Sequence, residues 1–318
     1  MDLADTYAIE LTAPDITRWR DGNAGVPYFH SFDSGRPGPH VMVAAVTHGN
    51  ELCGAIAVDW LLREGVRPLR GRLTLGFNNW AACLAFDPAN PTASRFVEED
   101  FNRLWDAGTL DGPRDSAELR RAREIRPLVD SVDYLLDIHS MQNATPPLML
   151  AGPHVKGANL ARALGYPRHV VCDEGHAAGR RLRDYGGFGD PASPKNALLV
   201  ECGQHWEKAS KWVAEQTTLR FLKELDVIDP AFIAAHLDPA PLPPQQVIEV
   251  THAVTVERDG FAFAADFRGM EVIARQGDLI ARDEAGELRA PYDNCVLIMP
   301  SRRLTKGLTA VRLGRIVA

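Results

Sequence analysis

The stretch V-M-V-A-A-V-T-H-G-N-E, residues 41–51, decides the fold. Its continuous apolar and β-branched run, Val41 to Val46, is typical of a strand that is buried on both faces. A short turn follows, and a helical pattern then extends from about Glu51 to Arg63. A buried strand that turns directly into a helix is the repeating unit of a parallel α/β sheet.

More short apolar runs alternate with helical patterns over the first three quarters of the chain. Strand-like runs lie at 73–77, 134–138, 148–151 and 197–200, and helical spacing lies at 117–129 and 205–225. Residues 87–115, rich in Pro, Asn, Asp and Gly, predict a long loop region. The sequence therefore predicts an α/β fold with a mixed, mostly parallel sheet that is covered by helices.

The pattern changes after Leu237. The proline-rich segment L-D-P-A-P-L-P-P at 237–244 ends any helix, and the runs beyond it are short and β-like. We therefore predict two domains, an α/β domain over 1–240 and a small all-β domain over 241–318.

The composition excludes several classes of protein. The chain has 318 residues, 45% of them hydrophobic and 24% charged, which is ordinary for a folded globular protein. Its net charge of −7 argues against binding nucleic acid or an anionic membrane through bulk charge. No window approaches ~18 uninterrupted apolar residues, so no membrane span is predicted.

The number and spacing of the cysteines indicate the redox state of the cellular compartment. The five cysteines are odd in number and form no C-x-x-C pair, which is typical of reduced thiols. The first 20 residues lack the basic start and apolar stretch of a secretory signal. We expect a cytoplasmic protein, and the sequence is compatible with a homo-oligomer without requiring one.

The turn after the first strand carries the strongest chemical signal. His48 and Glu51 of T-H-G-N-E are three residues apart at the point where a strand ends and a helix begins. Imidazole nitrogen and carboxylate oxygen are both good ligands for Zn²⁺. Taken alone, this pair is a weak signal, and a salt bridge or a helix-start carboxylate near the helix dipole is the commoner explanation.

A second histidine follows the strand at 134–138. In D-I-H-S, period-2 alternation places Asp137 and His139 on one face, where the carboxylate could orient the imidazole. In isolation, His139 fits a hydrogen-bonded histidine at a strand end. Together with His48 and Glu51 it gives a His2Glu set, which leaves a coordination position open for water in catalytic zinc sites.

Two further segments carry candidate side chains. Glu201 of V-E-C-G follows a buried run and suits a general base, although it also fits a carboxylate near the start of the next helix. Arg95, Asn102 and Arg103 lie within A-S-R-F-V-E-E-D-F-N-R, where guanidinium groups could hold a carboxylate. An ordinary solvated charge cluster is the alternative for that segment.

The motifs H-G-N-E, D-F-N-R, D-I-H-S and V-E-C-G, in this order, resemble the succinylglutamate desuccinylase/aspartoacylase family, a branch of the zinc carboxypeptidase-like hydrolases. The resemblance spans residues ~40 to ~205. It implies one Zn²⁺ per chain and an activity that removes an acyl group from a small anionic N-acyl amino acid. It also implies that residues 1–240 are catalytic and that the β-domain covers the cleft.

The resemblance assigns a role to each candidate residue. It implies that His48, Glu51 and His139 bind the zinc and that Glu201 is the general base and acid. It further implies that Arg95 stabilises the oxyanion. Asn102 and Arg103 match a pair that holds a substrate carboxylate, and Tyr292 of A-P-Y-D-N matches a tyrosine that reaches the site.

The chain departs from the family at one position. Aspartoacylases carry an arginine ten residues before the catalytic glutamate, and here that position is Pro191. N-acetylaspartate is therefore in doubt as the substrate, and the four basic residues Arg180, Arg181, Arg183 and Lys195 are candidate replacements. A zinc carboxypeptidase, a non-catalytic metal-dependent binding protein and a divalent metal other than zinc remain open.

Overall fold

The computed structural model describes residues 7–176, 178–284 and 286–318. The larger helices are α1 (Leu52–Arg63), α2 (Trp80–Leu84), α3 (Ala107–Leu110), α4 (Ala117–Asp130), α5 (Val155–Leu164), α6 (Lys208–Glu224) and α7 (Pro230–His236). The strands up to the proline-rich segment are β1 (Phe29–Asp33), β2 (His40–Ala45), β3 (Arg72–Phe77), β4 (Tyr134–Met141), β5 (Leu148–Leu150), β6 (His169–Cys172) and β7 (Asn196–Gln204). The later strands are β8 (Gln246–Thr255), β9 (Ala262–Phe263), β10 (Val272–Ile273), β11 (Leu279–Asp283), β12 (Gly286–Arg289), β13 (Cys295–Ile298) and β14 (Thr309–Ile316).

Eleven of the strands form one mixed sheet in the order β1-β3-β2-β4-β7-β5-β6-β8-β14-β13-β10. Five of its ten neighbouring pairs are parallel. The predicted α/β class with a large mixed sheet is confirmed. The sheet is not mostly parallel, however, because the other five pairs are antiparallel: β1–β3 at one edge, β7–β5 inside the sheet, and β8–β14, β14–β13 and β13–β10 at the other edge.

The strand β2 shows why the early part of the chain forms this sheet. Val41 and Val43 pack into an apolar core on one face, whereas Met42 and Ala44 pack into a second core on the other face. All four side chains are fully buried, as the unbroken apolar run predicts. Helices α1 and α6 pack on the first face, and α4 covers the second.

Strands β2, β4 and β7 are neighbours, and they position the predicted motifs. The three strands run parallel, so their carboxyl ends lie at the same edge of the sheet. His139 on β4 and Glu201 on β7 are register partners across the strand pair. Both residues lie inside their strands, each one residue beyond the predicted apolar run.

Within the described part of residues 246–316, every regular element is a strand. Strand β8 continues the large sheet by pairing with β6, and β14 pairs with β8. Strands β12, β11 and β9 make a separate three-stranded sheet. The domain boundary near residue 240 stays a prediction.

Among the described residues, no helix combines the length and the apolar character needed to cross a bilayer.

Candidate metal centre and active site

The turn between β2 and α1 presents His48 and Glu51. Val46, just after β2, has a φ of 53°, a left-handed conformation that a β-branched residue rarely adopts. Gly49 fits against backbone, because a Cβ there would lie 2.2 Å from the carbonyl carbon of Ala82 and 2.4 Å from the carbonyl oxygen of Ser94. The chain therefore makes a tight, strained turn that a larger residue at position 49 would disturb.

The side chains of His48, Glu51 and His139 meet in one buried cluster. The Nδ1 atom of His48 lies 2.7 Å from Glu51 Oε1, and the Nδ1 atom of His139 lies 2.9 Å from Glu51 Oε2. All three residues are at least 96% buried, and one ligand atom from each lies within 4.8 Å of the others. The structure thus brings together the three residues that the sequence singles out as metal ligands.

Carboxylates hold the outer nitrogen of each histidine. His139 Nε2 lies 2.9 Å from Asp137 Oδ2, and the other oxygen of Asp137 accepts a hydrogen bond from Thr47 Oγ1 at 2.9 Å. His48 Nε2 lies 3.0 Å from Asp100 Oδ1. A carboxylate on Nε2 favours the tautomer whose Nδ1 carries the free lone pair, which leaves both Nδ1 atoms available to a cation.

The charges of the cluster favour a cation at its centre. Burial raises the pKa of Glu51, but the charges of His48 and His139 outweigh it and hold that pKa well below the usual value. Burial lowers the pKa of His139, but the charges of Asp137 and Glu51 raise it well above the usual value. The surroundings therefore stabilise positive charge between the imidazoles and the carboxylate. A divalent cation fits this donor set, which matches catalytic zinc sites in residue type.

Glu201 lies in the same cavity. Its Oε2 atom is buried and has no hydrogen-bond partner among the described residues. Burial raises the pKa of the Glu201 carboxyl to about 8. A buried carboxyl without a partner in a cleft is a candidate proton carrier.

Arg95 lies beside the cluster, at the end of the single-turn 3₁₀ helix Ala93–Arg95. Its Nη1 is 3.6 Å from Glu51 Oε1, and its Nη2 donates to Asp100 Oδ2 at 3.2 Å and lies 3.0 Å from His48 Nε2. The guanidinium is thus held next to the metal ligands and at the cavity surface.

Asn102 and Arg103 lie in a second 3₁₀ turn, Phe101–Arg103, inside the predicted loop region. The Asn102 Oδ1 atom accepts a hydrogen bond from the backbone N–H of Leu182 at 2.9 Å, which directs the amide nitrogen elsewhere. Arg103 Nη1 donates to the Asn102 carbonyl at 2.7 Å. Both side chains line the cavity that holds His48 and Glu201.

Tyr292 lies away from the residues that line this cavity. Its hydroxyl is 2.5 Å from Thr251 Oγ1 on β8, and the Arg315 guanidinium carbon lies 4.3 Å from the centre of its ring. Tyr292 is not among the described residues that line the cavity. These contacts hold it on the late strands, so the structure does not bring it to the cluster.

Two residues of the cavity carry contacts that the sequence did not predict. Asp100 holds His48 as described, and its position two residues before Asn102 in D-F-N-R is the signal that could have identified it. His205 lies four residues after Glu201 and lines the same cavity. Its Nδ1 lies 2.9 Å from Ser140 Oγ, and its buried Nε2 has no partner among the described residues. Burial lowers the pKa of His205 to about 3, so this imidazole is neutral at pH 7.

The cavity has a volume of about 370 Å³, which suits a small molecule. The candidate metal ligands, Glu201 and residues of the 95–103 segment line it. Met299, Pro300 and Leu308, which precede β14, line the same cavity.

Fold and site together define an α/β protein with a buried candidate metal centre at the carboxyl ends of adjacent strands. The sequence model of the succinylglutamate desuccinylase/aspartoacylase catalytic domain matches residues 37–219. The chain belongs to the succinylglutamate desuccinylase/aspartoacylase family, and the predicted membership is confirmed.

One curated relative is a rat protein, N-acyl-aromatic-L-amino acid amidohydrolase (carboxylate-forming). It is 30% identical over 119 residues, which make up 34% of this chain and 35% of the relative. The matched segment therefore spans only about a third of that protein's length.

Solved structures share the fold over most of the chain. Succinylglutamate desuccinylase from Vibrio cholerae has a TM-score of 0.67 at 16% identity, covering 92% of this chain and 86% of that one. Murine aminoacylase 3 has a TM-score of 0.60 at 20% identity, covering 89% of this chain and 96% of that one. At these identities the comparisons establish a common fold.

Proposed function

We propose that the protein is a zinc-dependent amidohydrolase that removes the acyl group from an N-acylated amino acid or a similar small amide bearing a carboxylate. One observation carries the proposal: a buried His2Glu donor set lines the same small cavity as Glu201, whose Oε2 has no hydrogen-bond partner among the described residues. Membership of the desuccinylase/aspartoacylase family and the amidohydrolase name of the rat relative support the same activity.

His48, Glu51 and His139 would hold the zinc, one ion per chain. Two neutral imidazoles and one carboxylate give the ligand types that catalytic zinc sites use, with a coordination position left over. When bound, Zn²⁺ lowers the pKa of a water molecule and polarises a carbonyl group. Asp100 and Asp137 would keep both imidazole rings in orientation.

Glu201 would move the proton. As a carboxylate it would accept a proton from the attacking water, and as the acid it would deliver that proton to the nitrogen of the leaving amine. The desolvated setting that raises the pKa of Glu201 suits a group that must both accept and donate near neutral pH.

The arginines and Asn102 would orient the substrate. Arg95, beside the cluster, would donate to the oxygen that becomes negative as water attacks the carbonyl. The free amide nitrogen of Asn102 and the Arg103 guanidinium would hold a carboxylate of the substrate.

The late strands would limit the size of the substrate. Met299, Pro300 and Leu308, all from the predicted β-domain, line the cavity together with the metal cluster. A cleft covered in this way suits a small amide rather than a long peptide. This arrangement favours the deacylase over a carboxypeptidase. It is also compatible with the proposed division into a catalytic domain over 1–240 and a covering β-domain over 241–318.

Replacement of Glu201 tests the proposal. We expect Glu201→Gln to lower kcat for the best substrate of an N-acyl amino acid panel by about 100- to 10,000-fold, because the amide cannot carry the proton. Zinc content, measured by elemental analysis, should stay at one equivalent. The matched control is Glu224→Gln at the exposed end of α6, which should retain wild-type turnover.

Three results would argue against the proposal. Unchanged hydrolysis by Glu201→Gln would remove Glu201 from the mechanism. Turnover of peptides with none of N-acyl amino acids would favour the carboxypeptidase. Tight binding of panel members by the zinc-loaded protein without any hydrolysis would favour the non-catalytic binding protein.

A further inference from the structure

The cavity of this acidic chain is rich in positive charge. Five arginines line it, whereas only three carboxylate residues do so among the described lining residues. These arginines are Arg95, Arg103, Arg181, Arg303 and Arg312. Which of them is free to bind a ligand depends on the partners that each guanidinium already has.

None of the four basic residues that the sequence offers as replacements for the missing family arginine is free in the cavity. Arg181 donates to both oxygens of Asp173, at 2.6 and 3.0 Å, and to Asp184 at 2.6 Å. Arg183 donates to Asp184 and to two backbone carbonyls. Arg180 and Lys195 are not among the residues that line the cavity.

Arg312 is in a different situation. It lies on β14, and its side chain is 11% exposed. Its nearest ion-pair contact is Nε to Asp173 Oδ2 at 3.7 Å, beyond hydrogen-bond distance, and that oxygen already accepts from Arg181. Among the described residues, the Arg312 guanidinium has no hydrogen-bond acceptor.

Within the described part of the chain, the only hydrogen-bond acceptor of the Arg103 guanidinium is the backbone carbonyl of Asn102. The charges of Arg103, Arg312 and Arg181 act together on His176 in the same cavity. Burial first, and then these charges, lower the pKa of His176 to about 3. The part of the cavity around His176 is therefore distinctly positive.

Buried guanidinium groups without acceptors are unfavourable unless a ligand supplies the missing negative charge. A carboxylate offers two oxygens with about four lone-pair positions, which two guanidinium groups can share. Asp173 gives Arg312 only a distant ionic contact, because both of its oxygens already accept hydrogen bonds from Arg181 and its Oδ2 lies 3.7 Å from Arg312 Nε.

We propose that Arg312 binds the substrate's carboxylate together with Arg103, so that the last strand contributes a specificity-determining residue to the active site. This inference rests on the proposed function and adds a residue that lies outside the matched catalytic region of 37–219. It identifies the substrate as an amide with a free carboxylate. A carboxamide in its place is bound more weakly, since it brings no negative charge to either guanidinium.

The test compares binding of a matched pair of compounds, an N-acetyl amino acid and its carboxamide. The amino acid is the member of the panel that the wild-type protein hydrolyses fastest or, if none is hydrolysed, N-acetyl-L-phenylalanine. Dissociation constants are measured by calorimetry on zinc-loaded Glu201→Gln protein, in which turnover is suppressed. Arg312→Gln removes the charge, and Arg312→Lys keeps the charge but loses the planar fork. The matched control on the same strand is Arg315→Gln, because the Arg315 guanidinium stacks on Tyr292 outside the cavity.

We expect Arg312→Gln to weaken binding of the carboxylate by about 10- to 100-fold and to leave binding of the carboxamide within about threefold. Arg312→Lys should recover part of the loss, and Arg315→Gln should bind as the parent does. In active protein the same substitution should raise KM for the carboxylate with a smaller effect on kcat.

Several results would overturn the inference. One is that Arg312→Gln binds the carboxylate with the same dissociation constant as the parent protein. Another is a kcat that falls equally for both compounds, since Arg312 would then act by positioning Glu201. If Arg312→Gln fails to fold, Arg312→Lys is used instead. The inference is then overturned if Arg312→Lys binds both compounds as the wild-type protein does, or if it loses equal affinity for both. Failure of the proposed function can be distinguished from failure of this inference, because it appears as the absence of hydrolysis by the wild-type protein.

Discussion

At the scale of single residues, the candidate metal centre depends on carboxylates that do not themselves belong to the donor set. Asp137 and Asp100 each hold the Nε2 atom of one histidine, at 2.9 and 3.0 Å. Burial raises the pKa of Asp100, but the charges of His48, Arg95 and Arg103 outweigh it and keep Asp100 ionised. An ionised Asp100 therefore fixes the imidazole of His48 in the orientation that exposes Nδ1 to the cation.

We predict that Asp100→Asn weakens zinc binding by about 10- to 100-fold, the range known for partners of metal-bound histidines. The amide keeps the size of the side chain but loses the charge that orients His48. Zinc affinity is measured by competition with a chelator of known affinity. Glu98→Gln, two residues away in the same loop, is the control, because Glu98 contacts the backbone of Ala117 instead of a metal ligand. Equal zinc affinities for Asp100→Asn and wild-type protein would show that Asp100 is dispensable.

At the scale of elements, the turn between β2 and α1 places two of the three ligands. Gly49 lies between them in sequence, and its Cα faces the backbone of Ala82 and Ser94. The segment that carries Ser94 also carries Arg95, whose carbonyl accepts a hydrogen bond from the Gly49 N–H at 3.1 Å. The turn and the Arg95 segment therefore hold each other in place.

We predict that Gly49→Ala lowers the free energy of unfolding by about 1–3 kcal/mol, because the added methyl group meets backbone that must shift. Zinc affinity should fall as well, since His48 and Glu51 flank the substitution. Urea unfolding and chelator competition measure the two effects. In the control Gly108→Ala, on α3, the nearest atom to the new Cβ is a side-chain oxygen of Asp106 at 3.3 Å. A Gly49→Ala protein as stable as this control would contradict the proposed tight packing.

The sequence predicted the elements that have strong apolar periodicity and missed those that do not. β2, β3, α1 and α4 begin and end within about one residue of the predicted bounds. β6 has four residues, and β14 contains Arg312 and Arg315 within its apolar pattern, so neither was predicted. An arginine in a strand ordinarily indicates a solvent-facing position, and only the packing of β14 on β8 shows that Arg312 points into the cavity.

The candidate site residues could likewise be predicted only where a local sequence pattern marks their position. Those at strand ends, His48, Glu51, His139 and Glu201, were identified because strand and turn patterns mark their positions. Asp100 was not assigned a role, because its contact with His48 spans 52 residues of sequence and depends on how an irregular loop folds back. Tyr292 was assigned by resemblance, and the structure places it in contact with Thr251 instead of the cavity.

At the scale of the whole molecule, the site is assembled from distant parts of the chain. The β2–α1 turn, the 95–103 loop, β4, β7 and the last strands all contribute to one cavity. The late strands join the large sheet through the β6–β8 and β8–β14 pairs, which fixes their distance from β4 and β7. As a result, Arg312 on β14 lines the same cavity as His139 on β4 and Glu201 on β7.

The central claim is that His48, Glu51 and His139 share one cation. The most direct measurement is an anomalous difference map, recorded at the zinc absorption edge, from crystals of the zinc-loaded protein and of His139→Ala. We predict one peak per chain in the wild-type protein, ~2.0–2.2 Å from His48 Nδ1, an oxygen of Glu51 and His139 Nδ1, and its loss from the variant. A peak bound elsewhere, or a full-strength peak at the same place in His139→Ala, would contradict the claim.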